Sequence, residues 1–149
     1  MKFHDRFVRF FASFFYLGYS PLAPGTCGSI GGILLAWFFY RQATFILTLL
    51  AVGGFLISKP AREIFNSDDP RQFVLDEVCG MMLTLLGMPR ILWLFGAGFV
   101  LFRIFDVLKP WPINRIQSME NPASILWDDL AAGFFSNVCL RLILHFTAL

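Results

Sequence analysis

Charge is scarce in this chain. Only 15% of its 149 residues are Asp, Glu, Lys or Arg, whereas a soluble domain carries about 25%. The deficit is filled by apolar side chains, at 57% of the sequence, with 19 Phe and four Trp. That balance points to a protein set in a membrane or deep against one. A net charge of +2 with no stripe of basic residues excludes nucleic acid as a partner. Histidine is nearly missing: His4 lies in the N-terminal segment and His145 at the far end of the last apolar run, so a phosphohistidine intermediate has no candidate. The three cysteines, Cys27, Cys79 and Cys139, have no metal-ligand spacing and read as reduced packing residues. The positions six residues beyond them, where a cysteine-nucleophile phosphatase places a phosphate-binding Arg, are Ile33, Leu85 and His145. An Asp-x-Asp pair of the haloacid-dehalogenase kind is missing too. Neither an internal repeat nor a low-complexity tract interrupts the chain, and its length predicts one domain over residues 1–149.

What remains is a series of apolar runs separated by short polar stretches. Met1 to Tyr19 carries Lys2, Arg6 and Arg9 before a Phe-rich run and leads into a Gly/Pro-rich loop rather than a small-residue cleavage site. It reads as a retained amphipathic or interfacial helix. Pro21 to Gly32 reads as a loop running into a helix near Ile30. Apolar runs follow at Ile30–Tyr40, Ala43–Ser58, Phe73–Met88, Ile91–Leu108 and Leu130–Leu149. Lys59–Arg71 and Pro110–Ser124 read as polar loops. Strand alternation is absent, and backbone in lipid must satisfy its own hydrogen bonds, so the expectation is an all-α, compact, multi-helix integral membrane protein. Several runs are shorter than the roughly 20 residues that span a bilayer core. Arg41-Gln42 and Pro89-Arg90 therefore read as the tips of two short helical hairpins. The alternative joins Val78 through Phe102 into one kinked span and puts Arg103 across the membrane from Glu77. The hairpin reading places all ten acidic residues, and every basic residue except Arg41, Arg90 and Arg141, on one side. The positive-inside rule makes that side cytoplasmic.

Five carboxylates crowd against the apolar runs: Asp76-Glu77, Asp106 and Asp128-Asp129. Charges bordering lipid-soluble helices persist when paired, turned inward or bound to a cation. Each has a plainer reading. Asp76-Glu77 suits the positive end of a helix dipole, and neighbours about 100° apart do not easily serve one ion. Arg103, Asp106 and Lys109 recur every third residue, which a self-satisfied ion-pair ladder also explains. Asp128-Asp129, before an apolar helix from Leu130, suits N-capping. Two features favour chemistry. Pro110 ends the helix directly after Lys109 and fixes that ammonium at the membrane interface. Pro24-Gly25-Thr26-Cys27-Gly28-Ser29 offers backbone N–H groups and hydroxyls to an anion at a helix start, on the carboxylate side. A hard-metal site beside an anion site is what phosphate chemistry requires, which leaves carboxylate-bound Mg²⁺ activating water, or one Asp acting as nucleophile, with Mg²⁺ the cation that favours oxygen ligands and retained waters.

Taken together, the motifs resemble the phosphatidylglycerophosphatase A family. They are Pro24-Gly25-Thr26-x-Gly28-Ser29, Phe73-Val74-Leu75-Asp76-Glu77-Val78-x-Gly80, the block from Phe102-Arg103 through Asp106 to Lys109-Pro110-Trp111-Pro112, and Asp128-Asp129-x-x-Ala132-Gly133. They run in family order from about Gly18 to Gly133. The resemblance implies a Mg²⁺-dependent lipid phosphatase of the bacterial inner membrane that converts phosphatidylglycerophosphate to phosphatidylglycerol and phosphate. It also implies a central helix surrounded by others. By position, Asp76, Glu77, Asp106, Asp128 and Asp129 become metal ligands, with Asp76, Glu77, Asp106 and Asp129 the catalytic set. Thr26, Ser29, Arg103 and Lys109 become phosphate or headgroup ligands. The expected partner is a phospholipid in the membrane; the sequence sets no oligomeric state. Two rivals keep a place. A cation transporter would spread ionisable residues through the membrane depth, yet the run centres are almost free of them. A docking subunit would show no metal dependence.

Overall fold

The computed structural model describes residues 3–118 and 121–147, and among them every regular element is helical. The order is α1 (Phe3–Ala12), α2 (Pro24–Phe38), α3 (Ala43–Phe65), α4 (Leu75–Leu85), α5 (Leu92–Leu108), α6 (Ile113–Gln117) and α7 (Ser124–Thr147). Short 3₁₀ turns lie at Leu17–Tyr19 and Tyr40–Gln42.

α4 is the central helix, packed against α2, α3, α5 and α7. Its Leu75, Val78, Cys79, Met81, Met82 and Leu85 are buried nearly all the way round, as expected of a helix that is apolar on every side. Lipid tails are as apolar as leucine, so helices in a bilayer associate through close packing of small residues rather than through water exclusion. α4 and α7 meet in that way. A Cβ on Gly133 would lie 2.3 Å from the Gly80 carbonyl oxygen, and one on Gly80 would lie 2.6 Å from the Asp129 carbonyl oxygen. Only glycine permits this approach. The polar backbone around the contact is satisfied locally. The Thr84 hydroxyl donates to the Gly80 carbonyl at 2.9 Å. At the C-terminal end of α4, the Asn137 side-chain amide lies 2.9–3.1 Å from the Leu83, Thr84 and Leu86 carbonyls. Those are among the acceptors that a helix end leaves without partners.

Both hairpins form. The chain reverses between α2 and α3 at Phe39–Gln42, and between α4 and α5 at Leu86–Ile91, where Gly87 takes φ +74°. The two tips are neighbours: the Arg90 guanidinium lies 5.6 Å from the Tyr40 ring centroid. Glu77 and Arg103 line one cavity, so the single kinked span through Val78–Phe102 is ruled out.

Helix starts and ends differ from the sequence reading in several places. α2 begins at Pro24 rather than near Ile30. Proline is pre-organised for the first helical turn, and the small residues after it let α2 approach α4. α3 runs through Pro60 to Phe65, past the predicted polar loop. Ala61 is fully buried, and Asn66 in the left-handed region (φ 52°) ends the helix with its N–H on the Arg62 carbonyl. α7 begins at Ser124, before the Asp pair. Pro110–Ser124 contains the short helix α6.

The N-terminal helix is amphipathic, as its sequence indicates. Val8 and Ala12 are buried while Phe7 and Phe11 are exposed. Arg9 ties it to the end of α3, donating to the Ile64 carbonyl at 3.1 Å and sitting over the Phe65 ring.

Two segments, Tyr40–Phe65 and Ser124–Thr147, are long and apolar enough to cross a membrane, and only 22% of each apolar window is buried inside the protein. The rest of that apolar surface points outward, which fits lipid rather than water. Exposed aromatics sit at both ends. Trp111 follows the end of α5 and Trp127 lies in the first turn of α7, and Tyr40 and Trp93 lie near the hairpin tips, as interfacial belts do.

Gly133→Ala should destabilise the protein by about 1–3 kcal/mol, the usual cost of overpacking, and lower its thermal midpoint in detergent. An unchanged midpoint would show that α4 and α7 are not held at this contact.

Candidate functional site

Five segments end around one cavity of about 490 Å³. The start of α2 supplies Pro24, Gly25 and Thr26. The end of α3 supplies Arg62, and the following loop supplies Asp68, Asp69 and Arg71. The first turn of α4 supplies Asp76 and Glu77, the last turns of α5 supply Arg103, Asp106 and Lys109, and the first turns of α7 supply Ser124, Asp128 and Asp129. The helix starts bring positive dipole ends, which favours anions and carboxylates at the same place.

Asp76, Glu77 and Asp129 each offer a carboxylate oxygen, and the three oxygens lie within 4.8 Å of one another. The 100° spacing between adjacent residues therefore does not separate Asp76 from Glu77. Asp76 folds back over the helix start, accepting the Glu77 backbone N–H at 2.9 Å, and α7 brings Asp129 across to both. Gly25 leaves the space: a Cβ there would lie 2.4 Å from Glu77 Oε1. Asp76 and Asp129 are buried. Glu77 Oε2 and Asp129 Oδ2 are buried without a hydrogen-bond partner among the described residues. At the first turn of α4, outside the two spanning helices, burial and then the Glu77 charge push the Asp76 carboxyl well above its usual range. Burial also raises Glu77. Three crowded carboxylates with orphaned oxygens lack positive charge, and the donor set is that of a hard cation. The acidic cluster can hold a metal ion.

The cations flank this cluster. Arg103 contacts Asp106 at 2.7 Å, so the first rung of the predicted ladder exists. The second does not: Lys109 reaches across to α7 and pairs with Asp128. Burial alone would lower the Lys109 ammonium, but the Asp128 carboxylate outweighs it and holds the group above its ordinary value. Lys109 takes φ 41° as α5 ends, with its N–H on the Phe105 carbonyl, and this aims the side chain away from the α5 axis.

Of the remaining residues marked by the sequence, Thr26 lines the cavity and Ser29 does not. Ser29 lies one turn further along α2, fully buried, and its hydroxyl donates to the Gly25 carbonyl at 2.9 Å. Asp128 and Asp129 are not N-caps, because α7 begins a turn earlier. The sequence reading missed Arg62, Asp68, Asp69, Arg71 and Ser124. The helical spacing of Ala61, Ile64 and Phe65 was the available signal that α3 carries Arg62 to the site.

Fold and site together define a helical membrane protein whose acidic, cation-ready pocket opens at one end of the bundle. The phosphatidylglycerophosphatase A family model matches residues 10–144, and the chain belongs to that family. Among similar proteins, phosphatidylglycerophosphatase A of Escherichia coli is 34% identical over 86% of this chain and 78% of its own length. A Bacteroides thetaiotaomicron protein named "Putative phosphatidylinositol-3-phosphatase" is 30% identical over 83% and 84%. Phosphatidylglycerophosphatase A of Haemophilus influenzae is 33% identical over 76% and 74%. No solved structure matches.

If the carboxylate cluster awaits a cation, Asp76→Asn should stabilise the protein in chelator-treated buffer, by on the order of 1 kcal/mol, because a buried like charge is removed. The same change should erase any rise in thermal midpoint on adding Mg²⁺. A variant that is less stable without metal and still responds fully to it would contradict the reading.

Proposed function

We propose that this chain is a Mg²⁺-dependent phosphatase acting on the terminal phosphate of phosphatidylglycerophosphate, releasing phosphatidylglycerol and phosphate at the cytoplasmic face of a bacterial inner membrane. The whole chain serves as one membrane-embedded catalytic domain. The observation that carries this reading is the cluster of Asp76, Glu77 and Asp129, with its orphaned oxygens, in the same cavity as Arg103 and Lys109. A lipid substrate has its reacting group at the boundary between tails and water, and this cavity opens at an end of the apolar helices.

Asp76, Glu77 and Asp129 would hold the cation, and Asp128 supports the site through Lys109. Bound Mg²⁺ would supply Lewis-acid polarisation of a phosphoryl oxygen and a more acidic water. Arg103 and Lys109 each keep donors beyond their carboxylate contacts, and these offset charge developing on the phosphoryl oxygens. Thr26 adds a hydroxyl at the start of α2. Asp106 stands outside the three-carboxylate group and is oriented by Arg103. We assign it as the acceptor of the proton from the attacking water, whose oxygen bonds to phosphorus as the ester P–O bond breaks. The released glycerol oxygen takes up a proton from water.

Phosphate release from phosphatidylglycerophosphate in detergent micelles should require Mg²⁺ and stop with EDTA. Asp106→Asn should lower kcat by 100-fold or more with the thermal midpoint retained. Full activity in that variant would remove Asp106 from the chemistry, and no release by folded wild type would sink the proposal. The Bacteroides relative makes phosphatidylinositol 3-phosphate the necessary comparison substrate. Preference for it would keep the phosphatase and change the headgroup.

A further inference from the structure

Among the described residues, Arg62 is the cavity-lining cation whose charge is least answered. Its guanidinium reaches the Asn121 carbonyl at 3.4 Å and the Ser124 hydroxyl at 3.3 Å. Among the described residues its nearest carboxylate, Asp68, is 3.8 Å away and fully exposed to solvent. Nε is buried with no partner among the described residues, and only 20% of the side chain is exposed. Charge-assisted hydrogen bonds run at about 2.7–2.9 Å, so every contact here is long. Arg103 and Lys109, by contrast, each contact a carboxylate directly. Arg71 also lines the cavity but lies exposed on the loop, where water already answers its charge. A guanidinium largely withdrawn from water and poorly paired is costly unless an anion completes it, and its planar fork matches a phosphate.

The proposed substrate carries two phosphates, and this inference rests on that reading. One is the terminal monoester, which belongs beside Asp76, Glu77 and Asp129. The other is the phosphodiester that joins the headgroup to the diacylglycerol and survives the reaction. Arg62 comes from α3, a different wall of the cavity from the α5 cations. We propose that Arg62 binds this phosphodiester and so selects lipids with both phosphates over lipids with a terminal monoester alone.

The test uses full-length protein in uncharged detergent with Mg²⁺, as wild type, Arg62→Gln and Arg62→Lys. Phosphatidylglycerol keeps the phosphodiester and lacks the monoester, diacylglycerol lacks both, and inorganic phosphate stands for the monoester alone. Arg62→Gln should weaken phosphatidylglycerol binding about tenfold, the scale of one charged hydrogen bond. Arg62→Lys should restore part of it. Diacylglycerol and inorganic phosphate binding should not change. In turnover, kcat/KM for phosphatidylglycerophosphate should fall about tenfold through KM, while that for phosphatidate, which has only the monoester, stays level. Equal losses for phosphatidylglycerol and inorganic phosphate would move Arg62 to the monoester and overturn the proposal. So would unchanged phosphatidylglycerol binding. A loss accompanied by a lower thermal midpoint and not restored by lysine would assign Arg62 a structural role instead. Arg62-dependent binding of phosphatidylglycerol by a wild type that hydrolyses neither lipid would uphold this site and reject the phosphatase reading.

Discussion

The backbone contact between Gly80 on α4 and Gly133 on α7 sets the geometry of the site. With no Cβ on either residue, the two helices approach until carbonyl oxygens fill the space that side chains would take. One turn back along each helix lie Glu77 and Asp129, so the close approach is also what brings α4 and α7 carboxylates into one group. A Cβ at either position would meet the opposing carbonyl oxygen at 2.3–2.6 Å, well inside van der Waals contact, so a methyl group here would push the two helices apart. The same small-residue packing is the force available for helix association in lipid. Assembly of the bundle and assembly of the site are therefore one event.

The cost of that assembly is electrostatic. Asp76 and Asp129 are buried beside each other and beside Glu77, and two of the oxygens have no donor. Among the described residues, four of the five buried side-chain polar atoms left without a hydrogen-bond partner belong to residues lining this cavity, Arg9 Nε being the exception, while away from it Asn137 answers the end of α4 and Ser136 donates to Ala132. Violations concentrated at one cavity are characteristic of functional sites. The flanking ion pairs limit the imbalance without removing it, because Arg103 and Lys109 are each committed to a carboxylate outside the three-oxygen group.

The sequence made the helical class, the two hairpins and the residues around the cavity legible for clear reasons. Carboxylates abutting apolar runs are conspicuous in a chain so poor in charge, and the sorting of basic and acidic residues to one side identified the turns. Other features depend on tertiary contacts that no local pattern encodes. Lys109 could equally have bonded Asp106 on its own helix; the left-handed backbone at the end of α5 and the position of α7 turn it to Asp128. Ser29 has the spacing of an anion ligand, but the helix starts at Pro24 and carries its hydroxyl back to the Gly25 carbonyl. Arg62 was hidden because Lys59–Arg71 reads as a polar loop, whereas the helix in fact continues through Pro60 to Phe65.

The membrane reading and the chemical reading meet at the cavity. Outward-facing apolar surface on α3 and α7 keeps the bundle in lipid, with aromatic side chains at either end, and the cavity opens where those helices meet water. The central claim is that α4 and α7 together make a single cation site there. The most direct measurement is anomalous scattering from crystals of the full-length protein grown with Mn²⁺ in place of Mg²⁺. The account predicts a peak within coordination distance of the Asp76, Glu77 and Asp129 carboxylates. A peak only at Asp68 and Asp69 on the cavity rim, or none at saturating Mn²⁺, would contradict it.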